Sequence, residues 1–456
     1  MPGQELKIAW YGDDFTGASD TLAVAARAGL RSMLFLDVPD ARRLAQAGPL
    51  DALGIAGSAR TMAPAALRAE MARVGDFFRG LGAPVLHYKC CSTFDSSPTV
   101  GSIGAALSCL HPFVDADIAY VVGGQPDIGR YCCFSNLYAA AGADAEVYRL
   151  DRHPTMSRHP VTPMREADLR RHLEEQGLAR VTGVHYPDYG RPAPQLDARV
   201  DELLELLRGQ GGAVLFDVAC NADLAPVGRQ IWRAAGRGPV LVAGPSTVVQ
   251  ALAAHWDASD VAPSAGVAAV HRIASDSSAR RQVAVVPATA PVFALAGSMS
   301  PVTAHQVEQA TSFLRLPLAA SSLVADPAYL QAQADTIAAA LAGGRHVLAH
   351  VQQSGAGPDR GVATRDLAQS TAELLGRVLR AAASTGLRRI GVAGGDTSSL
   401  AVKGLPVWGL SFLRPLSPGV ALCRAHSDDP ALDGLELMLK GGQMGPADIF
   451  QRLLEV

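Results

Sequence analysis

The sequence predicts an α/β protein of two domains, each a mainly parallel sheet flanked by helices, with the active site in the cleft between them. Three observations carry this. Short apolar runs recur along the chain, each leading through a polar or Gly-rich turn into a segment of helical period, the signature of parallel sheets covered on both faces. The length, 456 residues, exceeds what one core holds. The composition, 48% hydrophobic and 18% charged with 45 glycines but only 5% aromatics, suits close helix-on-sheet layers better than a β-sandwich and excludes global disorder.

Taken in order, Ile8 to Tyr11 reads as the first strand and Thr16 to Gly29 as a helix closed by glycine. Further strands are predicted at Arg31 to Asp37, Asp51 to Ala56, Pro84 to Tyr88, Ile118 to Gly123, Ala213 to Phe216 and Pro239 to Val242. A second set follows at Val292 to Ala296, His346 to His350 and Arg389 to Ala393, with a mostly apolar run at Leu435 to Leu439. The Ser-, Pro- and Ala-rich stretch from Asp257 to Pro291 predicts a linker or crossover, although Gln282 to Val286 has strand character. The expected division is therefore 1–257, a linker at 258–290, and 291–456.

A formal net charge of −3 gives no footprint for nucleic acid or an anionic membrane. Seven cysteines without zinc or redox spacing predict reduced thiols in a cytoplasmic protein. The N-terminus lacks the layout of a signal peptide, and no apolar stretch is long enough to span a membrane. A homodimer is among the expected assemblies.

In open α/β sheets, ligands bind beyond the carboxyl ends of strands, so the loops there are the candidates for chemistry. After the first strand comes Tyr11-Gly12-Asp13-Asp14-Phe15-Thr16-Gly17-Ala18-Ser19-Asp20. Paired carboxylates at a strand end are costly unless they meet ligands or cations, and either Asp13 or Asp14 is a candidate general base. The competing reading, a helix cap by Asp14 or Thr16, is the commoner one for such residues. The fourth strand runs into Lys89-Cys90-Cys91-Ser92-Thr93-Phe94-Asp95, where a cation, hydroxyls and a carboxylate suit an anionic substrate as well as an ordinary polar loop. Arg130 follows a Gly-rich turn and is a candidate carboxylate grip or a surface ion-pair partner. His159, in the basic segment Arg149 to Arg165, is a candidate substrate contact or a plain loop histidine.

Three small-residue turns mark the C-terminal half. Gly297-Ser298-Met299-Ser300-Pro301 opens a helix predicted over Val302 to Leu314, with Ser300 as N-cap. Gly394-Gly395-Asp396-Thr397-Ser398-Ser399 opens another, its hydroxyls ready for phosphate oxygens and Asp396 for Mg²⁺. Lys440-Gly441-Gly442-Gln443-Met444-Gly445 is the third. None matches the common phosphate-loop or dinucleotide fingerprints, but three in one half favour a nucleotide site. His346 and His350 bracket a strand and so do not form a helical metal pair.

These blocks, in this order over almost the whole chain, resemble the four-carbon acid sugar kinases, a family long catalogued as a domain of unknown function. The resemblance rests on Gly12 to Ala18, Lys89 with Ser92-Thr93, His159-Pro160-Val161-Thr162-Pro163, and the three C-terminal turns. It implies a sugar-acid-binding N-terminal domain, a nucleotide-binding C-terminal domain, and ATP-dependent phosphorylation of a terminal hydroxyl on threonate, erythronate, 3-oxo-tetronate or a branched relative. It assigns Asp13, Asp14, Lys89, Ser92 and Arg130 to the sugar acid, and Ser298, Gly394, Gly395, Asp396, Thr397, Ser398 and Gly442 to ATP; Thr93, Asp95 and His159 are further substrate-side candidates. Departures fall mainly on the substrate side: Cys91-Ser92-Thr93-Phe94-Asp95-Ser96 replaces the common Asp-Ser-Thr-Leu-Arg-Gly, and Tyr11 stands for a small residue. Met299 and Met444 replace a frequent Cys and Phe. The Tyr11 to Gly17 form is similar to a subgroup acting on 3-oxo-isoapionate. The readings from other classes are a non-catalytic, nucleotide-responsive binding or regulatory protein and, against the missing fingerprint, a dehydrogenase.

Overall fold

The structure is a computed structural model that describes residues 6–114, 117–141, 146–159, 161–258, 288, 290–298, 300–352 and 364–455. Pro160, Met299, most of the expected linker and the strand expected at Gln282 to Val286 lie outside the described residues, as do the side chains of Asp396 and Ser398. The chain divides into two compact units, Met1–Ala279 and Arg280–Val456.

In the first unit, β1 (Ile8–Gly12) leads into α1 (Phe15–Arg27), β2 (Ser32–Phe35), the short α2 (Ala41–Ala47) and β3 (Ala52–Ala56). Next come α3 (Pro64–Leu81), β4 (Val85–Lys89), α4 (Ile103–Val114) and β5 (Ile118–Gly123). A small antiparallel sheet follows, β6 (Arg130–Cys133), β7 (Asn136–Ala140) and β8 (Val147–Arg149). The unit closes with α5 (Leu169–Glu174), β9 (Val181–Val184), α6 (Ala193–Leu207), β10 (Gly212–Asp217), α7 (Leu224–Ala235), β11 (Val240–Gly244) and α8 (Thr247–Ala258). The main strands pair in the order β2-β3-β1-β4-β11-β5-β10-β9, all parallel.

Every residue of β1, β3, β4, β10 and β11 is buried, so helices cover both faces and the strands read as unbroken apolar runs rather than alternating ones. On α3, which packs along α4, Leu67, Met71, Val74 and Phe78 recur at helical spacing and are buried. Burying these four side chains contributes about 1.5–3 kcal/mol each. The β6–β7–β8 sheet is absent from the sequence-based reading, which treats its start only as the sequel to a Gly-rich turn. Its tip, Phe134 and Ser135 at φ 49° and 66°, is tied down by backbone N–H donation to the buried Asp217 carboxylate.

In the second unit, β12 (Val292–Ala296) and α9 (Pro301–Gln309) are followed by β13 (Leu314–Ala319), α10 (Ala320–Ala325), α11 (Pro327–Ala342), β14 (Val347–Gln352) and α12 (Thr364–Ala381). Then come β15 (Arg389–Ala393), α13 (Gly395–Lys403), β16 (Val407–Ser417), β17 (Val420–Ser427), β18 (Glu436–Lys440) and α14 (Ile449–Glu455). The strand order is β13-β14-β12-β15-β18-β17-β16. The first five are parallel, whereas β17 pairs antiparallel with both β16 and β18.

Two sequence expectations need correction here. The helix expected over Val302 to Leu314 stops at Gln309, and Leu314 instead starts β13, an edge strand in which Leu314, Leu316 and Leu318 alternate with the exposed Arg315 and Pro317, so it lacks the unbroken apolar run of a buried strand. Pro317 is tolerated there because the edge needs no donor from it. The β16–β17 hairpin, turning at Gly419 with φ 72°, breaks the strand–helix alternation extrapolated from the rest of the chain.

Candidate functional site

The strand order places the carboxyl ends of β3, β1, β4, β11 and β5 side by side in the first unit. Backbone bonds stitch their loops together: Gly57 N–H donates to Gly12 O at 2.9 Å, Asp13 N–H to Lys89 O at 2.9 Å, and Arg60 N–H to Asp13 O at 3.1 Å. Asp13 and Asp14 thereby leave the end of β1 as buried groups, 2% and 7% exposed.

Asp14 does cap α1, accepting from Gly17 N–H at 2.9 Å and from the Thr16 hydroxyl at 2.6 Å. The cap and the charge-bearing reading are both realised, because Asp14 also meets two cations. Arg60 reaches it with Nη1 at 3.0 Å while gripping Asp13 through Nε at 3.2 Å and Nη2 at 2.9 Å. Lys89 Nζ, at the end of β4 and 4% exposed, lies 3.9 Å from Asp14 Oδ1. Gly17 makes room for this: a Cβ there would stand 1.8 Å from Lys89 Nζ. Any side chain at 17 would displace the ammonium.

The two carboxyls are driven in opposite directions. Burial raises Asp13 above the ordinary carboxylate range, with Asp14 adding to it and Arg60 opposing. For Asp14, burial also favours the neutral form, but Arg60, Lys89, Thr16 and Gly17 outweigh it and hold the group at about 2. Lys89 and Arg60 are both raised; burial works against their charge and the aspartates overcome it. Paired carboxyls pushed apart in this way divide into a permanent anion and a more basic partner.

Among the other expected substrate residues, Thr93 donates to Asp95 at 2.7 Å, so these two satisfy each other, and Ser92 is half-buried beside them. Phe94, at φ 53°, is pinned by Ser96, His172 and Gln176: His172 Nε2 lies 3.1 Å from Phe94 O and 2.9 Å from Ser96 Oγ. Arg130 donates through Nη1 to the carbonyls of Ile128, Gly129 and Ala140 at 2.9, 3.3 and 3.3 Å. It pairs with no carboxylate among the described residues, and its buried Nε has no partner there. His159 sits in a local turn, its Nδ1 3.1 Å from Thr162 N, and no bond joins it to the Asp13–Lys89 group among the described residues. Cys90 and Cys91, which follow Lys89, are protonated thiols, raised by burial.

Sequence reasoning missed Arg60, which holds both aspartates. The signal was available, since Gly57-Ser58-Ala59-Arg60 follows β3 as the Asp pair follows β1. It also missed Asp20, Gln125 and Ser246. Ser246, after β11, donates to Asp20, one turn along α1 from Gly17, and accepts from Gln125 Nε2 at 2.8 Å. Each is an unremarkable polar residue in sequence; only strand order brings them to the same end of the sheet.

In the second unit, the three small-residue turns converge at the ends of neighbouring strands β12, β15 and β18. Gly297 and Ser298 N–H both donate to Ala393 O, and Gly394 N–H donates to Lys440 O at 2.9 Å. Gly394 has φ 126°, and a Cβ on Gly442 would lie 2.3 Å from Ser298 Oγ. Thr397 is buried against Gly297. Ser300 caps α9, accepting from Val302 N–H, with Pro301 in the first turn as expected, while Gly394 gives α13 no side-chain cap. Two helices opening at Gly-lined turns make an anion-binding arrangement. Among the described residues no group of three or more His, Cys, Asp or Glu side chains could hold a metal ion.

Residues 8–252 match the profile of a sugar-binding N-terminal domain, and residues 293–450 that of a nucleotide-binding C-terminal domain. The chain is 37% identical to the 3-oxo-isoapionate kinase of Paraburkholderia graminis, over 99% of this chain and 94% of that protein. It is 30% identical to the 3-oxo-tetronate kinase of Methylobacterium radiotolerans, over 99% of both. The fold is shared with crystal structures of a Salmonella typhimurium LT2 protein (TM-score 0.77) and a Haemophilus influenzae protein from a domain family of unknown function (TM-score 0.66). Each is 22% identical, with 98% of both chains covered.

Proposed function

We propose that this chain, which belongs to the family joining a sugar-binding N-terminal domain to a nucleotide-binding C-terminal domain and is a sugar-acid kinase, uses Mg-ATP to phosphorylate a terminal hydroxyl of a 3-oxo sugar acid. 3-Oxo-isoapionate is the first candidate substrate and a 3-oxo-tetronate the second, following the names of its relatives. The observation that best supports a sugar-acid site is the buried Asp13–Asp14–Arg60–Lys89 group together with Arg130, a half-buried cation near the Cys91–Asp95 loop that lacks a carboxylate partner among the described residues.

In this reading Arg130 takes the substrate carboxylate. Lys89, already matched to Asp14, serves the hydroxyl end, and Ser92, Thr93 and Asp95 line the loop. Asp13, the more basic carboxyl, accepts the proton of the attacking hydroxyl, whose oxygen bonds to the γ-phosphorus as the bond to ADP breaks. Asp14 stays anionic and fixes Lys89 and Arg60. The turns at Ser298, Gly394 to Ser398 and Gly442 hold the nucleotide, with Mg²⁺ neutralising phosphate charge and Asp396 as its candidate protein ligand. Transfer then depends on alignment, with reacting atoms within about 3–3.5 Å.

ADP release with Mg-ATP, measured over 3-oxo-isoapionate, 3-oxo-tetronates, threonate and erythronate, tests the reading. Turnover is expected with a 3-oxo acid. Thermal stabilisation by ATP without turnover on any acid would favour a non-catalytic nucleotide-responsive protein instead. The nucleotide assignment has its own check. In Gly442→Ala the new methyl forces the Ser298 hydroxyl to rotate away, and loss of one such hydrogen bond is expected to raise KM for ATP about tenfold. KM for the sugar acid should not move.

A further inference from the structure

Lys440, the last residue of β18, is fully buried at 0% exposure. Its Nζ donates to Gly441 O at 3.0 Å and to the Thr303 hydroxyl at 3.3 Å, and no ion pair reaches it among the described residues. Lys89, also at a strand end, has Asp14 for comparison. Thr303 lies in the first turn of α9, whose amino end carries partial positive charge and so opposes a neighbouring ammonium. Burial lowers Lys440 to about 7, with no charge partner to restore it.

The charged groups on the elements around it are engaged elsewhere. On α9, His305 and Glu308 face each other. Arg389 of β15 pairs with Glu436 at the opposite end of β18, and Arg424 of β17 lies in register with Glu436 at that same end. Asp448 and Arg452 pair beside α14. On α13, Lys403 sits in the last turn and has a partner of its own, while Asp396 in the first turn has its side chain outside the described residues. A buried ammonium left in this state is costly, and an apolar residue of similar length would fill the space without that cost.

The position of Lys440 indicates what offsets the cost. Its carbonyl accepts from Gly394, and the Thr303 hydroxyl it touches donates to Gly442 O at 2.8 Å. The Gly394 turn is thus bonded to this residue's backbone and the Gly442 turn to its side chain through Thr303, which stands two residues past the Pro301 that closes the remaining turn. We propose that Lys440 is a positioning residue that gains a proton when the nucleotide's phosphates occupy these turns, and that its ammonium then orients Thr303 to hold the Gly442 carbonyl. The inference rests on the nucleotide reading above. The logic of the relay is in donor count: an ammonium has three donors and no acceptor, so the Thr303 oxygen must accept from it and its own proton goes to Gly442. A neutral amine can instead accept the Thr303 proton and leave that carbonyl free.

The linkage has a definite sign. Lys440 is mostly neutral in the free protein above pH 7, and phosphate charge raises its affinity for a proton, so ATP binding takes up a proton at pH 8. The terminal phosphate of ATP, with a pKa of about 6, is already ionised there. Titration calorimetry of ATP with MgCl₂ into the full chain, in buffers of low and high ionisation enthalpy, reads the proton count directly. Uptake approaching one proton is expected, with affinity falling severalfold from pH 8 to pH 9. Lys440→Met should abolish the uptake, flatten the pH dependence and weaken ATP binding. Thr303→Val should weaken binding while keeping the uptake, a split that a merely structural lysine would not produce. Binding to the unmodified chain with no buffer dependence, or uptake that survives in Lys440→Met, would overturn the inference and leave the nucleotide site intact. Absence of ATP binding altogether would overturn both. The buffer comparison on the unmodified chain decides the matter even if Lys440→Met does not fold.

Discussion

Asparagine in place of Asp13 is expected to lower kcat by about 10²–10⁴-fold, the usual worth of a positioned general base, with ATP affinity unchanged. The change is isosteric and keeps an acceptor for Arg60, so the loop after β1 should survive it. The environments of the two aspartates tell them apart. Asp14 is held at about 2 and would gain little by taking a proton, whereas Asp13 is raised and is the better proton acceptor. Activity should accordingly rise with pH through a value above the ordinary carboxylate range, and that limb should vanish in Asp13→Asn. Asp14→Asn keeps an acceptor for the helix cap but removes the charge facing Lys89 and Arg60, so its first effects should be on stability and on KM for the sugar acid. Near-normal kcat in Asp13→Asn together with an inactive Asp14→Asn would exchange the two roles.

Arg60→Met should be the most destabilising of the changes considered. It removes the cation shared by two buried carboxylates, and breaking a buried pair from one side costs about 3–5 kcal/mol. Without Arg60, Asp13, already raised by burial, would lose its main opposing charge and rise further, and Asp14 would lose its largest one. An acid raised on folding contributes stability fully below its unfolded pKa and loses it as pH climbs through the folded value. The gap in Tm between Arg60→Met and the unmodified protein should therefore narrow on going from pH 7.5 to pH 5. A gap that is small or independent of pH would show that the aspartates do not depend on Arg60. Arg60→Lys should rescue only in part, since a point charge cannot grip Asp13 with two nitrogens and Asp14 with the third.

Much of this was legible in the sequence, for identifiable reasons. Strands such as Ile118–Gly123, Val292–Ala296 and Arg389–Ala393 stand out because nearly every position is buried and, apart from the leading Arg389, all are apolar, aromatic or small. The edge strand β13 and the β6–β7–β8 sheet do not, since they are short and partly exposed and so lack an unbroken buried apolar run. The Asp13-Asp14 pair and Lys89 announced themselves as charges at strand ends. Arg60 did not, because its two partners lie 47 and 46 positions earlier and become neighbours only when β3 pairs with β1. Lys440 was read as one member of a glycine-rich turn; its isolation from anions is a property of packing, invisible in the order of residues.

The thiols beside Lys89 have a consequence for durability. Cys90 and Cys91 are held protonated by their surroundings, as is Cys132, while Cys220 is the exposed cysteine of the chain. Oxidants and alkylating reagents attack thiolates. Among the cysteines, Cys220 is therefore the one expected to be modified first by a thiol reagent, with Cys90 and Cys91 spared.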